Sequence, residues 1–199
     1  MIAIIDYGAG NLFSVKNALD YLMLPCIITK EETELRSADK LILPGVGAFP
    51  DAMDRLDRSG LRNVLLEEAE KKPFLGICLG MQMLFDRSFE FTETKGLGLL
   101  PGDVVPIEAP GQKIPHMGWS PLYLKHQCEI AMDVEPGDMV YFVHSYKVVT
   151  ADPYVSMYTE YGGEIPGIVF RDNIFGTQFH PEKSGKVGLS MLKRFGGMK

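Results

Sequence analysis

The chain has 199 residues, 46% hydrophobic and 23% charged, with a formal net charge of −6. That length suits one domain over residues 1–199, and the acidic balance argues against nucleic acid as a main partner, which requires a basic footprint. No window approaches about 18 unbroken apolar residues, and the start Met1-Ile-Ala-Ile-Ile-Asp6 lacks a basic lead, so the expectation is a cytoplasmic protein that does not bind membranes.

Ile2 to Ile5 reads as a strand. Leu12, Val15, Leu19 and Leu22 place one apolar stripe on a helix that Asn11 is positioned to cap. Cys26 to Thr29 and Leu41 to Leu43 read as further strands, and Leu61, Val64, Leu65 and Ala69 mark another helix before a strand from Phe74 to Ile77. Alternating strands and helices predict a parallel sheet covered on both faces, with its ligand beyond the carboxyl ends of the strands. In the second half, 140–149, 155–161, 168–171 and 174–179 read as strands joined by short turns, several of them antiparallel. A last helix runs from about Ser184 to Phe195, turning Val187, Met191, Leu192 and Phe195 inward, and Gly196-Gly197 ends it. The expected architecture is a three-layer α/β/α domain whose mostly parallel central sheet is extended by antiparallel strands.

Chemistry concentrates at Gly76-Ile-Cys78-Leu-Gly80, fed by the apolar run and followed by the amphipathic stretch Met81 to Phe85. Strand, sharp turn and helix are the setting of a nucleophile elbow, in which flanking glycines avoid collision with neighbouring elements. The helix dipole then favours a thiolate at Cys78, and the Leu79 amide is free to donate to an oxyanion. A buried structural cysteine is the competing reading of the same segment.

A hundred residues later comes His180-Pro181-Glu182. A residue before proline is extended, so side chains two apart share a face and the imidazole meets the carboxylate. A histidine that takes the thiol proton, oriented by an acid, completes the arrangement needed for nucleophilic catalysis; a solvent-facing turn is the competing reading. Pro44-Gly-Val-Gly47 follows a strand, where its glycines allow a peptide N–H to face a substrate. Gly8-Ala-Gly10 only superficially suggests a phosphate loop, because Phe13 stands where a third glycine belongs. Cys26, Cys78 and Cys128 lack CxxC spacing, and His116, His126 and His144 have no metal-motif setting, so neither a disulfide framework nor a metal is expected. His144 reads as a core histidine and Trp119 as packing.

The elbow, the Pro-Gly-Val-Gly loop and His-Pro-Glu, in that order, resemble class I (triad) glutamine amidotransferase domains. Ile4-Ile-Asp-Tyr-Gly-Ala-Gly-Asn-Leu12, Pro44-Gly-Val-Gly-Ala-Phe49, Gly76-Ile-Cys-Leu-Gly-Met-Gln82, Pro115-His-Met-Gly-Trp119, Tyr141-Phe-Val-His-Ser-Tyr146 and Gln178-Phe-His-Pro-Glu-Lys-Ser184 narrow the resemblance to the glutaminase subunits of imidazole glycerol phosphate synthase. Ser120 departs from that pattern, which often shows Asn after the Trp.

The resemblance implies hydrolysis of L-glutamine to glutamate and ammonia with no cofactor. Catalysis falls to Cys78, His180 and Glu182, and oxyanion binding to Gly45, Val46, Gly47 and Leu79. Glutamine binding falls to Gly47, Gln82, Glu90, Ser145 and Tyr146. It also implies a heterodimer with the cyclase subunit HisF, a (β/α)₈ barrel that receives the ammonia, with Tyr141 and Lys183 near the contact. A pyridoxal phosphate synthase glutaminase would carry Gly-Gly-Glu-Ser in place of Pro44 to Gly47. Two further functions compete with the amidotransferase: a catalytically idle binding subunit, and a stand-alone Cys-His hydrolase of related α/β fold.

Overall fold

The structure, a computed structural model, describes residues 1–198. Its central sheet has eight strands: β1 (Ile2–Ile5), β2 (Cys26–Thr29), β3 (Lys40–Gly45), β4 (Phe74–Cys78), β9 (Tyr123–Leu124), β12 (Val155–Glu160), β13 (Glu164–Arg171) and β14 (Ile174–Thr177). They are ordered β2-β1-β3-β4-β14-β13-β12-β9. The first five are mutually parallel and the last three are added antiparallel. This is a mostly parallel α/β sheet extended by antiparallel strands. All residues of β1, β3 and β4 are buried, as continuous apolar strands covered on both faces must be.

Helices close both faces. On one side α2 (Glu32–Ser37), α3 (Phe49–Ser59) and α4 (Arg62–Ala69) pack Leu35, Phe49, Met53, Leu56 and Leu65 against Ala3, Ile5, Leu41 and Leu43. On the other, α1 (Leu12–Tyr21) and α6 (Gly185–Gly197) bring Val15, Leu19, Met191, Leu192 and Phe195 onto Ile2, Ile4, Ile42 and Leu75. The alternation of Ala3 and Ile5 with Ile2 and Ile4 is the two-residue period of a strand shared between two cores.

Several expectations need correction. Asn11 occupies the N-cap position of α1 but makes no side-chain capping bond. Helix α6 runs through Gly196 and Gly197 rather than ending at Phe195. Residues 140–149 do not form one strand: β10 (Met139–His144) pairs with β8 (His116–Pro121), whereas β11 (Tyr146–Val149) pairs with β7 (Asp103–Pro106) in another sheet. That second sheet is completed by β5 (Arg87–Ser88) and β6 (Thr94–Lys95), and Ser145 is the point of transfer between the two. Helices α2 and α3, and strands β5 to β9, are not anticipated by the sequence pattern.

Candidate active site

Cys78 ends β4 with φ 56° and ψ −113°, a left-handed conformation that costs a non-glycine residue energy. The neighbouring packing explains both glycines. A Cβ on Gly76 would lie 2.7 Å from the Gly80 carbonyl oxygen and from Met81 backbone, and one on Gly80 would overlap the Leu43 carbonyl oxygen. Leu79 opens the short helix α5 (Leu79–Met83), so its N–H lies outside the helical hydrogen-bond ladder.

Strands on either side of β4 supply the rest. Gly45 at the end of β3 stands opposite Cys78 in the parallel register, close enough that a Cβ there would sit 2.8 Å from the Leu79 carbonyl carbon. The chain then exposes Val46 and takes φ 96° at Gly47. On the other flank β14 runs out through Gln178 and Phe179 to His180, whose backbone N–H donates to the Tyr141 carbonyl at 3.1 Å.

The His180 ring is buried and its Nδ1 lies 2.8 Å from Glu182 Oε1, itself buried. Carboxylates only accept, so Nδ1 carries the proton and Nε2 is the nitrogen left for the sulfur. Burial acts to lower the ring's pKa, but hydrogen bonds to Cys78 and Glu182 and their charges outweigh it and lift His180 to about 9. Cys78 Sγ also lies 4.0 Å from Gln178 Nε2 and 4.0 Å from the Val143 carbonyl oxygen. Burial and the nearby Cys78 raise the Tyr7 phenol well above its ordinary value.

These groups open into a cavity of about 420 Å³ lined by Val46, Gly47, Cys78, Leu79, Gln82, Glu90, Ser145, Tyr146, His180 and Lys183, among others. All five candidate glutamine-binding residues are therefore on its wall. Gly45, Tyr141 and Glu182 are not: Gly45 lies in the strand beneath, and Glu182 reaches the cavity only through His180. A larger groove of about 940 Å³, along Asp6, Lys30, Asp51 and Arg55, carries mixed charge and neither Cys78 nor His180. Size favours the groove; the cysteine–histidine pair favours the smaller cavity.

Two wall residues are also structural. Glu90 Oε2 accepts the Phe49 N–H at 2.7 Å at the start of α3, and burial raises its carboxyl despite that bond. Gln82 Nε2 donates to the Tyr146 carbonyl at 3.1 Å and to Gln178 Oε1 at 2.9 Å. Gln178, fully buried beneath the sulfur, carries no signal of its own in the sequence beyond its place two residues before His180. Trp119, expected to be packing, is instead 52% exposed and edge-on to Tyr141, with ring centroids 6.1 Å apart. Met117 and Ile114 are exposed on the same segment. Among the described residues no cluster of three or more His, Cys, Asp or Glu is placed to hold a metal, and no helix is long and apolar enough to cross a membrane.

The family described as glutamine amidotransferase class-I matches this chain over residues 3–196. The chain belongs to the class I glutamine amidotransferases. They are enzymes, and the similarity to individual members is extensive. The chain is 50% identical over 200 residues to the imidazole glycerol phosphate synthase subunit HisH of Caldanaerobacter subterraneus subsp. tengcongensis, covering 100% of this chain and 98% of that one. It is 48% identical over 199 residues to the protein of the same name from Bacillus cereus, covering 100% and 95%. Among solved structures, a glutamine amidotransferase superposes with a TM-score of 0.75 at 18% identity, covering 98% of both chains. The structure of PurLQS from Thermotoga maritima gives 0.74 at 20% identity, covering 98% of this chain and 96% of that one. At those identities the structural matches speak to the amidotransferase fold alone.

Proposed function

We propose that this chain, acting as one domain over residues 1–199 in the cytoplasm, is the glutaminase subunit of an imidazole glycerol phosphate synthase. The observation that carries the reading is full-length identity of about half to proteins bearing the HisH name. The Cys78, His180 and Glu182 arrangement supplies the chemistry.

Cys78 sulfur attacks the side-chain amide carbon of L-glutamine, and the oxyanion is held by the Leu79 N–H and a donor from the Gly45, Val46 and Gly47 loop. His180, protonated at neutral pH by virtue of its raised pKa, gives its Nε2 proton to the departing nitrogen; the C–N bond breaks, ammonia leaves and a thioester remains. The ring, now neutral, takes a proton from water, which adds to the thioester and releases glutamate and Cys78. Glu182 keeps the ring turned toward the sulfur. Gly47, Gln82, Glu90, Ser145 and Tyr146 hold the substrate, with the Glu90 carboxylate suited to its α-ammonium.

The ammonia passes to the cyclase partner HisF, which converts the phosphoribulosyl aminoimidazole carboxamide ribonucleotide into imidazole glycerol phosphate and AICAR in histidine biosynthesis. Tyr141 and Lys183 lie at the contact, and the exposed Trp119 extends that surface. The partner and its ligand bias the Pro44 to Gly47 loop toward an oxyanion-binding conformation. The test is ammonia release from glutamine by the chain alone, with the cyclase, and with the cyclase plus its nucleotide ligand. Weak release by the chain alone that rises with the cyclase and is strongest with the cyclase plus its ligand supports the reading; equal release in all three removes the partner from it, and none in any removes the glutaminase.

A further inference from the structure

His144 and His116 are buried side by side where β10 and β8 pair, and the glutaminase mechanism uses neither. Their contacts define the position of every ring proton. His144 Nδ1 lies 2.8 Å from the Tyr146 carbonyl oxygen, which can only accept, so His144 carries its proton on Nδ1. Its Nε2 is then an acceptor, and His116 Nδ1, 3.0 Å away, must donate to it. His116 Nε2 is left as an acceptor, and Ser120 Oγ at 2.8 Å donates to it. One direction of donation therefore runs from Ser120 through both imidazoles to Tyr146.

The surroundings keep the chain in this state. The His116 ring is stacked between Phe142 at 4.7 Å and Tyr161 at 4.1 Å. Burial pushes both rings down to about 4, so each is neutral and retains an acceptor nitrogen. The far end of the chain meets the substrate cavity. His144 closes a two-residue turn around Ser145, where the backbone transfers between sheets, and Ser145 and Tyr146 both line the cavity. The Tyr146 carbonyl is shared with Gln82, another wall residue. The near end lies on β8 next to the exposed Trp119.

We infer that Ser120, His116 and His144 are positioning residues: a proton-ordered chain that sets the Ser145–Tyr146 turn for glutamine and ties it to the exposed edge carrying Trp119. This rests on the glutaminase reading. Ser120 and His116 lie off the cavity wall and His144 is on it beside Ser145 and Tyr146; the three act on substrate affinity through the turn.

The experiment uses the complex with the cyclase and its ligand. His116→Phe keeps the aromatic stack but leaves His144 Nε2 without a donor; His116→Asn restores an N–H at the place of Nδ1. The expected result is a KM for glutamine raised roughly fivefold or more in His116→Phe with kcat changed by less than about twofold, and KM largely recovered in His116→Asn. Ser120→Ala raises KM in the same direction and Ser120→Thr does not, which serves where the Phe variant fails to fold. Equal KM for the donor-keeping and donor-lacking variants overturns the inference. Nitrogen-15 spectra of the wild-type rings provide an independent readout: both must show neutral, Nδ1-protonated imidazoles, and an Nε2-protonated ring at either position overturns the chain even if the enzyme is active. A wild-type complex that releases no ammonia overturns the functional reading and the kinetic role together, while the spectra still decide whether the chain exists.

Discussion

His180 and Glu182 meet through Nδ1 and Oε1 at 2.8 Å although only Pro181 separates them, and their side chains are 4% and 1% exposed. His180 itself is extended, at φ −95° and ψ 100°, but Pro181–Lys183 turn as a short 3-10 helix, so it is this bend and not a continuous extended backbone that brings the Glu182 carboxylate onto the ring. The carboxylate therefore orients the ring without belonging to the cavity wall. Cys78→Ala should abolish ammonia release, whereas Glu182→Ala should reduce it by about 10- to 100-fold, because the ring survives with its orientation relaxed. Steady-state assays of the cyclase complex check this; an equal, total loss in both variants means that Glu182 does more than orient.

The His180 ring titrates near 9 when folded against an ordinary 6.5, so the folded state binds the proton more tightly. Its contribution to stability is complete below about pH 6.5 and is lost as pH rises through about 9. Glutamine turnover should fall over the same alkaline limb, since the proton delivered to ammonia is gone. Replacing Cys78 by Ala removes a hydrogen bond and a charge that hold the proton, so the ring's NMR titration should move down toward its usual range. An unchanged midpoint would falsify the pairing.

His116 and His144 give the opposite dependence. Both are pushed down to about 4, below the 6.5 of an unfolded histidine, so between those values the unfolded chain binds more protons. Stability should fall by a few kcal/mol as pH drops from about 6.5 toward 4. Urea denaturation across that range checks it, and the slope should be shallower in His116→Asn.

Two glycines near Cys78 should separate folding from activity. Gly80→Ala drives a methyl group into the Leu43 carbonyl and should cost about 3 kcal/mol or more in stability. Gly47→Ala meets no atom within 4 Å but sits at φ 96°, so it should leave global stability nearly intact while forcing the exposed loop into another conformation. Thermal unfolding and ammonia release, measured on both, should show the first variant losing fold and the second losing at least about tenfold in turnover.

Trp119→Ala should shift the melting temperature by no more than about 2 °C, because half the side chain is already in water, and weaken association with the cyclase by about tenfold or more. Titration calorimetry of the two subunits tests this. Undiminished affinity would place the contact elsewhere on the surface.

The features legible in the sequence are those written in local backbone chemistry. Gly76-Ile-Cys78-Leu-Gly80 announces its bend because the glycines answer to close contacts with Met81 and Leu43, and an apolar strand precedes it. The parallel half of the sheet follows from apolar runs such as Ile2–Ile5. Long-range effects were not legible. Residues 140–149 are dominated by β-forming Val, Tyr and Phe on both sides of Ser145, and a single serine in such a run is too weak a turn signal to mark a change of sheet; the turn is closed by the His144 side chain on Tyr146. Trp119 looks like core by composition, but among the described residues β8 pairs with β10 alone and turns it outward. Helix α3 was hidden by its acidic and basic surface, although Phe49, Ala52, Met53 and Leu56 carry its inward stripe.

The cysteine strand β4 is laced on both edges by neighbours that also deliver the proposed oxyanion loop and the histidine, with Gly45 beside Cys78 and Thr177 beside Ile77. Three contributors so stitched together are held in register by one continuous ladder of backbone hydrogen bonds. Of the backbone that leaves these three strands past the last rung, the span that begins at Val46 is the one open to solvent, so it is the stretch a partner can reach without unpicking the ladder.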